Sequence, residues 1–173
     1  MSLALKLVLS PLLAAQAIST RRRAPALPEA SGPREGQIGH GPGALRVLIA
    51  GDSSAAGVGV AHQDDAFSGY FTRALNRRTA RAVRWRLVAR SGYTTLQVHA
   101  LLRESPLPVA DIAVVLTGVN DVIGLVTPRR AIEQRAALAD WLIGEGRAAA
   151  VLYSPLPPIN QSTLRDRHVS KSI

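Results

Sequence analysis

The 173-residue sequence contains no cysteine, which excludes disulfide bridges, thiolate zinc sites, iron–sulfur clusters and cysteine nucleophiles. Lysine is almost absent: apart from Lys6 and Lys171, every basic residue is arginine. Aromatic residues make up only 4%, too few for the stacking ladder of a single-strand nucleic-acid binder. No acidic residue falls between Asp65 and Glu104, and seven arginines crowd the part of that stretch from Arg73 to Arg90, with Arg103 beyond them. No apolar run reaches the roughly 20 residues a membrane-spanning helix needs. What is present is one domain's length of chain, 47% hydrophobic and 19% charged, a composition that folds rather than staying disordered. The net charge of +9 suits nucleic acid or an anionic membrane in principle. No helix-turn-helix or zinc-finger pattern accompanies the arginines, so they read as a solvated face and no specific nucleic-acid partner is expected.

Residues 1–20 form an apolar N-terminal segment, interrupted between Leu3 and Ile18 by Lys6, Ser10, Pro11 and Gln16. Ala15-Gln16-Ala17 has the shape of a signal-peptide cleavage site. Arg21, Arg22 and Arg23 follow at once, and positive charge just beyond an apolar segment favours cytoplasmic retention. A short helix lying on a membrane surface, its arginines meeting headgroups, accommodates both features. A cytoplasmic or membrane-associated location is therefore expected in preference to export. Residues 21–43 are rich in Pro, Gly and Arg and read as a linker.

Beyond the linker, strand and helix patterns alternate. Ala44–Ala50 is a short apolar run ending at Gly51. Phe67, Tyr70, Phe71, Ala74 and Leu75 recur at helical spacing. Ala82–Ala89 alternates, with Val83, Trp85 and Leu87 on one face and arginines on the other. Thr94 or Thr95 is placed to cap a helix through Leu96, Val98, Leu101 and Leu102. Ile112–Leu116 reads as a buried strand. Thr127-Pro128 opens a long helix with Ile132, Leu138, Trp141 and Leu142 inward, and Ala148–Tyr153 is a fourth strand. This alternation predicts an α/β fold, a parallel sheet covered on both faces. Ligands in such folds sit at the carboxyl ends of the strands. Three of those ends carry distinctive turns: Gly51-Asp52-Ser53, Ser91-Gly92 and Gly118-Val119-Asn120-Asp121. The first lacks the Lys-Ser/Thr ending of a P-loop, and no third Gly gives it dinucleotide spacing. No G-x-S-x-G elbow occurs anywhere.

Taken together, the three turns resemble the blocks of the SGNH (GDSL-like) hydrolase family. Gly51-Asp52-Ser53-Ser54-Ala55-Ala56-Gly57 is similar to its first block, Ser91-Gly92-Tyr93-Thr94 to its second and Gly118-Val119-Asn120-Asp121 to its third. The resemblance covers residues 44–158 and implies a three-layer α/β/α domain with a flavodoxin-like parallel sheet. It further implies a serine esterase or lipase-like enzyme that cleaves a small-molecule carboxylic ester through an acyl-enzyme, with neither metal nor organic cofactor. Ser53 is then the nucleophile, and the oxyanion donors are the N–H groups of Ser53 and Gly92 and the amide of Asn120. Asp52 and Asp121 are expected to hold their turns by bonds to backbone N–H groups.

The family's fourth element, a D-x-x-H block near the C-terminus, has no counterpart here. Asp166-Arg167-His168 is one residue short of that spacing and lies in the polar tail 159–173, which matches nothing else. His40, His62 and His99 lie in the linker, behind the first block and within a helix, and no motif marks any of them as the base. The expectation is a C-terminally truncated member, its last strand and helix missing. Two alternatives to the enzyme are an inactive remnant binding acyl or sugar ligands and a basic membrane-surface protein.

Overall fold

The computed structural model describes residues 27–155 except Pro42 and Gly146; the N-terminal segment and the tail from residue 156, including His168, lie outside the described residues. Among the described residues, four strands run parallel: β2 (Leu45–Gly51), β3 (Val83–Ala89), β4 (Ala110–Leu116) and β5 (Ala148–Tyr153). A further strand, β1 (Glu35–Ile38), pairs antiparallel with β3, so the sheet order is β1-β3-β2-β4-β5. Among the described residues, five helices accompany them: α1 (Ser53–Ala56), α2 (Phe67–Thr79), α3 (Thr95–Glu104), α4 (Val119–Ile123) and α5 (Pro128–Gly144).

The predicted three layers are present. On one face, Val98 and Leu102 of α3 and Leu138 and Leu142 of α5 pack on Leu48, Ala50, Ala113 and Val115. On the other, Ala55 and Ala56 of α1 and Phe67, Phe71 and Leu75 of α2 pack on Val47, Ile49, Val83, Trp85 and Val114. Each fully buried leucine contributes about 1.5–3 kcal/mol. The alternation of β3 sets Val83, Trp85 and Leu87 inward and leaves Arg84 exposed.

Local signals account for the helix ends. Thr94, rather than Thr95, caps α3 in a reciprocal capping box with Gln97. The Thr127 hydroxyl accepts from the Arg130 N–H, with Pro128 at the first helical position of α5. The Tyr153 hydroxyl, pushed up to about 12 by burial, donates to the Arg135 carbonyl at 2.6 Å and ties β5 to α5.

Three expectations are corrected. The linker holds a strand, because Glu35–Ile38 pairs with the open edge of β3 and sets Gly36 against Trp85, where a Cβ would lie 3.2 Å from the indole nitrogen. The sheet is therefore mixed rather than wholly parallel. Ile132, expected to face inward, is exposed, and so is Tyr70 of the helical pattern in α2. Tyr70 instead carries the Arg73 guanidinium over its ring at 5.0 Å, while Leu138 and Leu142 alone bury α5 deeply.

His99 sits between α3 and α5, 5.2 Å from the Trp141 ring, with its Nε2 buried and unpartnered among the described residues. Arg103 and Glu104 of α3 and Arg130 and Glu133 of α5 line the grooves beside it. Desolvation, reinforced by Arg103, holds the imidazole below its ordinary value of 6.5. The unfolded chain therefore binds this proton first as pH falls. The contribution of neutral His99 is intact above 6.5 and is lost as pH falls toward the lower folded value. His99→Leu should accordingly shrink the drop in Tm between about pH 7.5 and pH 5. Thermal unfolding at the two pH values checks this, and an unchanged drop would clear His99 of the effect.

Candidate active site

The strand order reverses around β2: β3 lies on one side of it and β4 on the other. That is the switch point at which open α/β sheets form a crevice. The turns that follow β2, β3 and β4 all open there. Two of them begin at a glycine that packing or backbone conformation requires. At Gly51 a Cβ would stand 2.3 Å from the Leu116 carbonyl oxygen and 2.9 Å from the Ala55 Cβ, so β2 and β4 close together only over a bare Cα. Gly118 adopts φ +124°, outside what a side chain tolerates.

The first turn is held by Asp52. Its N–H donates to the Leu116 carbonyl at 3.0 Å, and its buried carboxylate caps α1 by accepting the Ser54 N–H at 2.9 Å. Burial raises the Asp52 carboxyl above the usual carboxylate range, against the lowering effect of the Ser54 bond. Ser53 opens α1 half-buried, so its own N–H has no acceptor within the helix. Ser54 is exposed. In the second turn, Glu29 accepts the Ser91 N–H at 2.7 Å and the Arg90 carbonyl accepts that of Tyr93 at 3.4 Å. Between them Gly92 adopts φ +82°.

Asn120 joins the three turns. Its Nδ2 donates to the Tyr93 carbonyl at 3.0 Å and reaches Asp52 Oδ2 at 3.4 Å. Next to it, the buried Asp121 accepts the Thr95 N–H at 2.9 Å and the Thr95 hydroxyl at 2.5 Å; the Thr95 hydroxyl also lies 2.9 Å from that of Thr117. Ser53, Gly92 and Asn120 thus lie on three turns cross-linked through one amide, and Asp52 and Asp121 both take backbone N–H groups.

Sequence reasoning missed Gln63, Thr95 and Glu29. Gln63 is buried behind the first turn, its Nε2 donating to the carbonyls of Ala56 and Ala30 and its Oε1 accepting from Ser68. A buried glutamine carries no periodic signal, and Glu29 lies in the stretch read as linker. The tandem Thr94-Thr95 is the visible sign of Thr95, which local pattern offers only as an alternative cap. His62 caps the short 3-10 turn Gln63–Asp65, accepting the Asp64 N–H at 3.3 Å, and is half-exposed against Gly32. Among the described residues, no side chain hydrogen-bonds the Ser53 hydroxyl, and no cluster of three His, Asp or Glu side chains could hold a metal ion.

Comparison with known proteins gives two findings. The profile of the GDSL-like Lipase/Acylhydrolase family matches residues 49–172. Among solved structures, AlinE4, an SGNH-hydrolase family esterase, superposes with a TM-score of 0.57 at 22% identity, covering 69% of this chain and 64% of its own. Two variants of that esterase match with TM-scores of 0.55 at 21% and 20% identity over the same shares. The matched region thus spans somewhat less than two thirds of the esterase's length. No curated protein matches.

Removing the Asp121 carboxylate would leave the Thr95 N–H buried without its acceptor. Asp121→Ala should cost about 3 kcal/mol, two bonds to a charged group being lost together. Urea unfolding measures this, and a loss below about 1 kcal/mol would mean that the clamp is not needed.

Proposed function

The chain belongs to the GDSL-like lipase/acylhydrolase family, and from that membership we propose that it is a serine hydrolase cleaving carboxylic esters through an acyl-enzyme on Ser53. The observation that carries this proposal is the Asn120 amide, which meets the Gly92 turn and the Ser53 turn at the carboxyl edge of the sheet.

Ser53 Oγ attacks the ester carbonyl carbon. A C–O bond forms, the carbonyl π pair moves onto oxygen, and the hydroxyl proton passes to a base. The oxyanion settles among the N–H groups of Ser53 and Gly92 and the second N–H of Asn120. That second N–H rests on Asp52 at 3.4 Å, a long contact that an oxyanion can replace at little cost. Collapse of the adduct breaks the bond to the alkoxy oxygen, which leaves as the alcohol with the proton. Water then repeats the sequence on the acyl-serine and releases the acid. Fixed donors at the developing charge supply most of the rate. A base is still required, since a serine hydroxyl is a weak nucleophile alone. By family resemblance it is the histidine of a D-x-x-H block, a spacing that Asp166-Arg167-His168 misses by one residue.

One observation favours a second reading, an inactive remnant that binds acyl or sugar ligands: the sequence holds no D-x-x-H, the spacing in which the family carries its base. Hydrolysis of a short p-nitrophenyl ester decides between the two. The enzyme reading predicts turnover that disappears in Ser53→Ala and falls about 10²–10³-fold in kcat, with little change in KM, in Asn120→Ala. Equal background rates for all three proteins would favour the remnant.

A further inference from the structure

The edge that holds Ser53 and Asn120 is rimmed by apolar side chains the core does not use. Leu96 is 58% exposed, Val122 42%, Ile123 44% and Leu125 76%. They belong together because the Asp121 carboxylate holds Thr95, which brings the next residue of each element, Leu96 and Val122, to the same edge. The turn carrying the other two is tightly closed. The N–H groups of Gly124, Leu125 and Val126 donate to the carbonyls of Asn120, Val122 and Asp121 at 2.8, 3.1 and 2.9 Å. Leu125 is held there at φ +56°, a left-handed conformation that leucine rarely adopts. A strained backbone that presents a leucine to solvent has no part in stabilising the core, and such strain gathers at functional positions.

Cations flank this rim. Arg90 is exposed on the second turn, its guanidinium 2.8 Å from the Tyr93 hydroxyl and 5.3 Å over the Tyr93 ring. Arg130 and Leu96 share a groove of about 310 Å³ between α3 and α5. The nearby Glu133 is engaged by Arg129 at 2.9 Å. Protruding aliphatic side chains beside arginines match a lipid–water boundary, where apolar groups enter the acyl layer and guanidiniums meet phosphates.

We propose that this edge docks on an anionic lipid surface, with Leu96, Val122, Ile123 and Leu125 entering the layer and Arg90 and Arg130 at its phosphates. The proposal rests on the esterase reading for its use: docking presents the Ser53 turn to esters dissolved in the layer.

The test is co-sedimentation of the full chain with vesicles of phosphatidylglycerol and phosphatidylcholine, and with phosphatidylcholine alone. Leu125→Asn suits the left-handed backbone and so keeps the fold, which a thermal melt verifies. It should weaken binding to the mixed vesicles about tenfold or more. Arg90→Gln and Arg130→Gln should each weaken it about fivefold, and only where phosphatidylglycerol is present. Val109→Asp, an exposed position just ahead of β4 and so at the opposite, amino end of the sheet, should bind as the native chain does.

Unchanged binding of Leu125→Asn would overturn the proposal and assign any membrane affinity to the N-terminal segment. A Leu125→Asn effect confined to the KM of a dissolved long-chain ester would overturn it in favour of an acyl-chain pocket. A native dimer that Leu125→Asn dissociates would overturn it in favour of self-association. Ser53→Ala should bind vesicles as the native chain does. Leu125-dependent binding by a chain without ester turnover would sink the esterase reading and leave the docking surface standing.

Discussion

A buried carboxylate with two bonds to one threonine holds the working edge of this protein together. Asp121 takes both the N–H and the hydroxyl of Thr95, and so fixes the start of α3 to the turn that follows β4. With that clamp in place, the adjacent Asn120 has little freedom, and its amide reaches both the Tyr93 carbonyl and Asp52. A bare Cα at Gly51 lets the Asp52 N–H reach the Leu116 carbonyl. Three turns far apart in sequence become one constellation through a few buried polar groups, each partnered. Leaving any of them without its partner in a site of low dielectric carries a high cost.

The parts of this arrangement that were legible in the sequence are those set by local chemistry. Gly-Asp-Ser, Ser-Gly and Gly-x-Asn-Asp each stop an apolar run, and the residue types state their backbone demands. Thr127-Pro128 and the alternation from Val83 to Ala89 likewise name a helix start and a strand. What escaped depends on partners distant in sequence. Glu35–Ile38 has no strand composition and becomes a strand only because the edge of β3 is open to it. Glu29 reaches the Ser91 N–H across 62 residues, a pairing no local pattern announces. Ile132 fits the helical period yet is exposed, because α5 is anchored by Leu138 and Leu142. In the candidate site, Ser53, Gly92 and Asn120 could be named from motif and family resemblance. Gln63 and Thr95, which brace them, could not.

The two ends of the sheet differ in character. Around the amino ends of the parallel strands, Arg46 is bound to Asp111 and Arg84 leans on Gln37, so the arginine-rich stretch is largely a solvated and internally paired surface. Around the carboxyl ends, polar groups are buried and partnered while aliphatic side chains protrude. Buried, partnered dipoles beside exposed aliphatic side chains are what the proposed docking on a lipid layer requires.

The proposed activation of Ser53 is read by intact-mass analysis of the full chain after exposure to a fluorophosphonate. An activated serine attacks phosphorus and expels fluoride, leaving a stable phosphonylated protein. The expected result is one adduct per chain, mapped to Ser53 by peptide sequencing and absent from Ser53→Ala. A folded chain that takes up no label, or takes it at another residue, would contradict it.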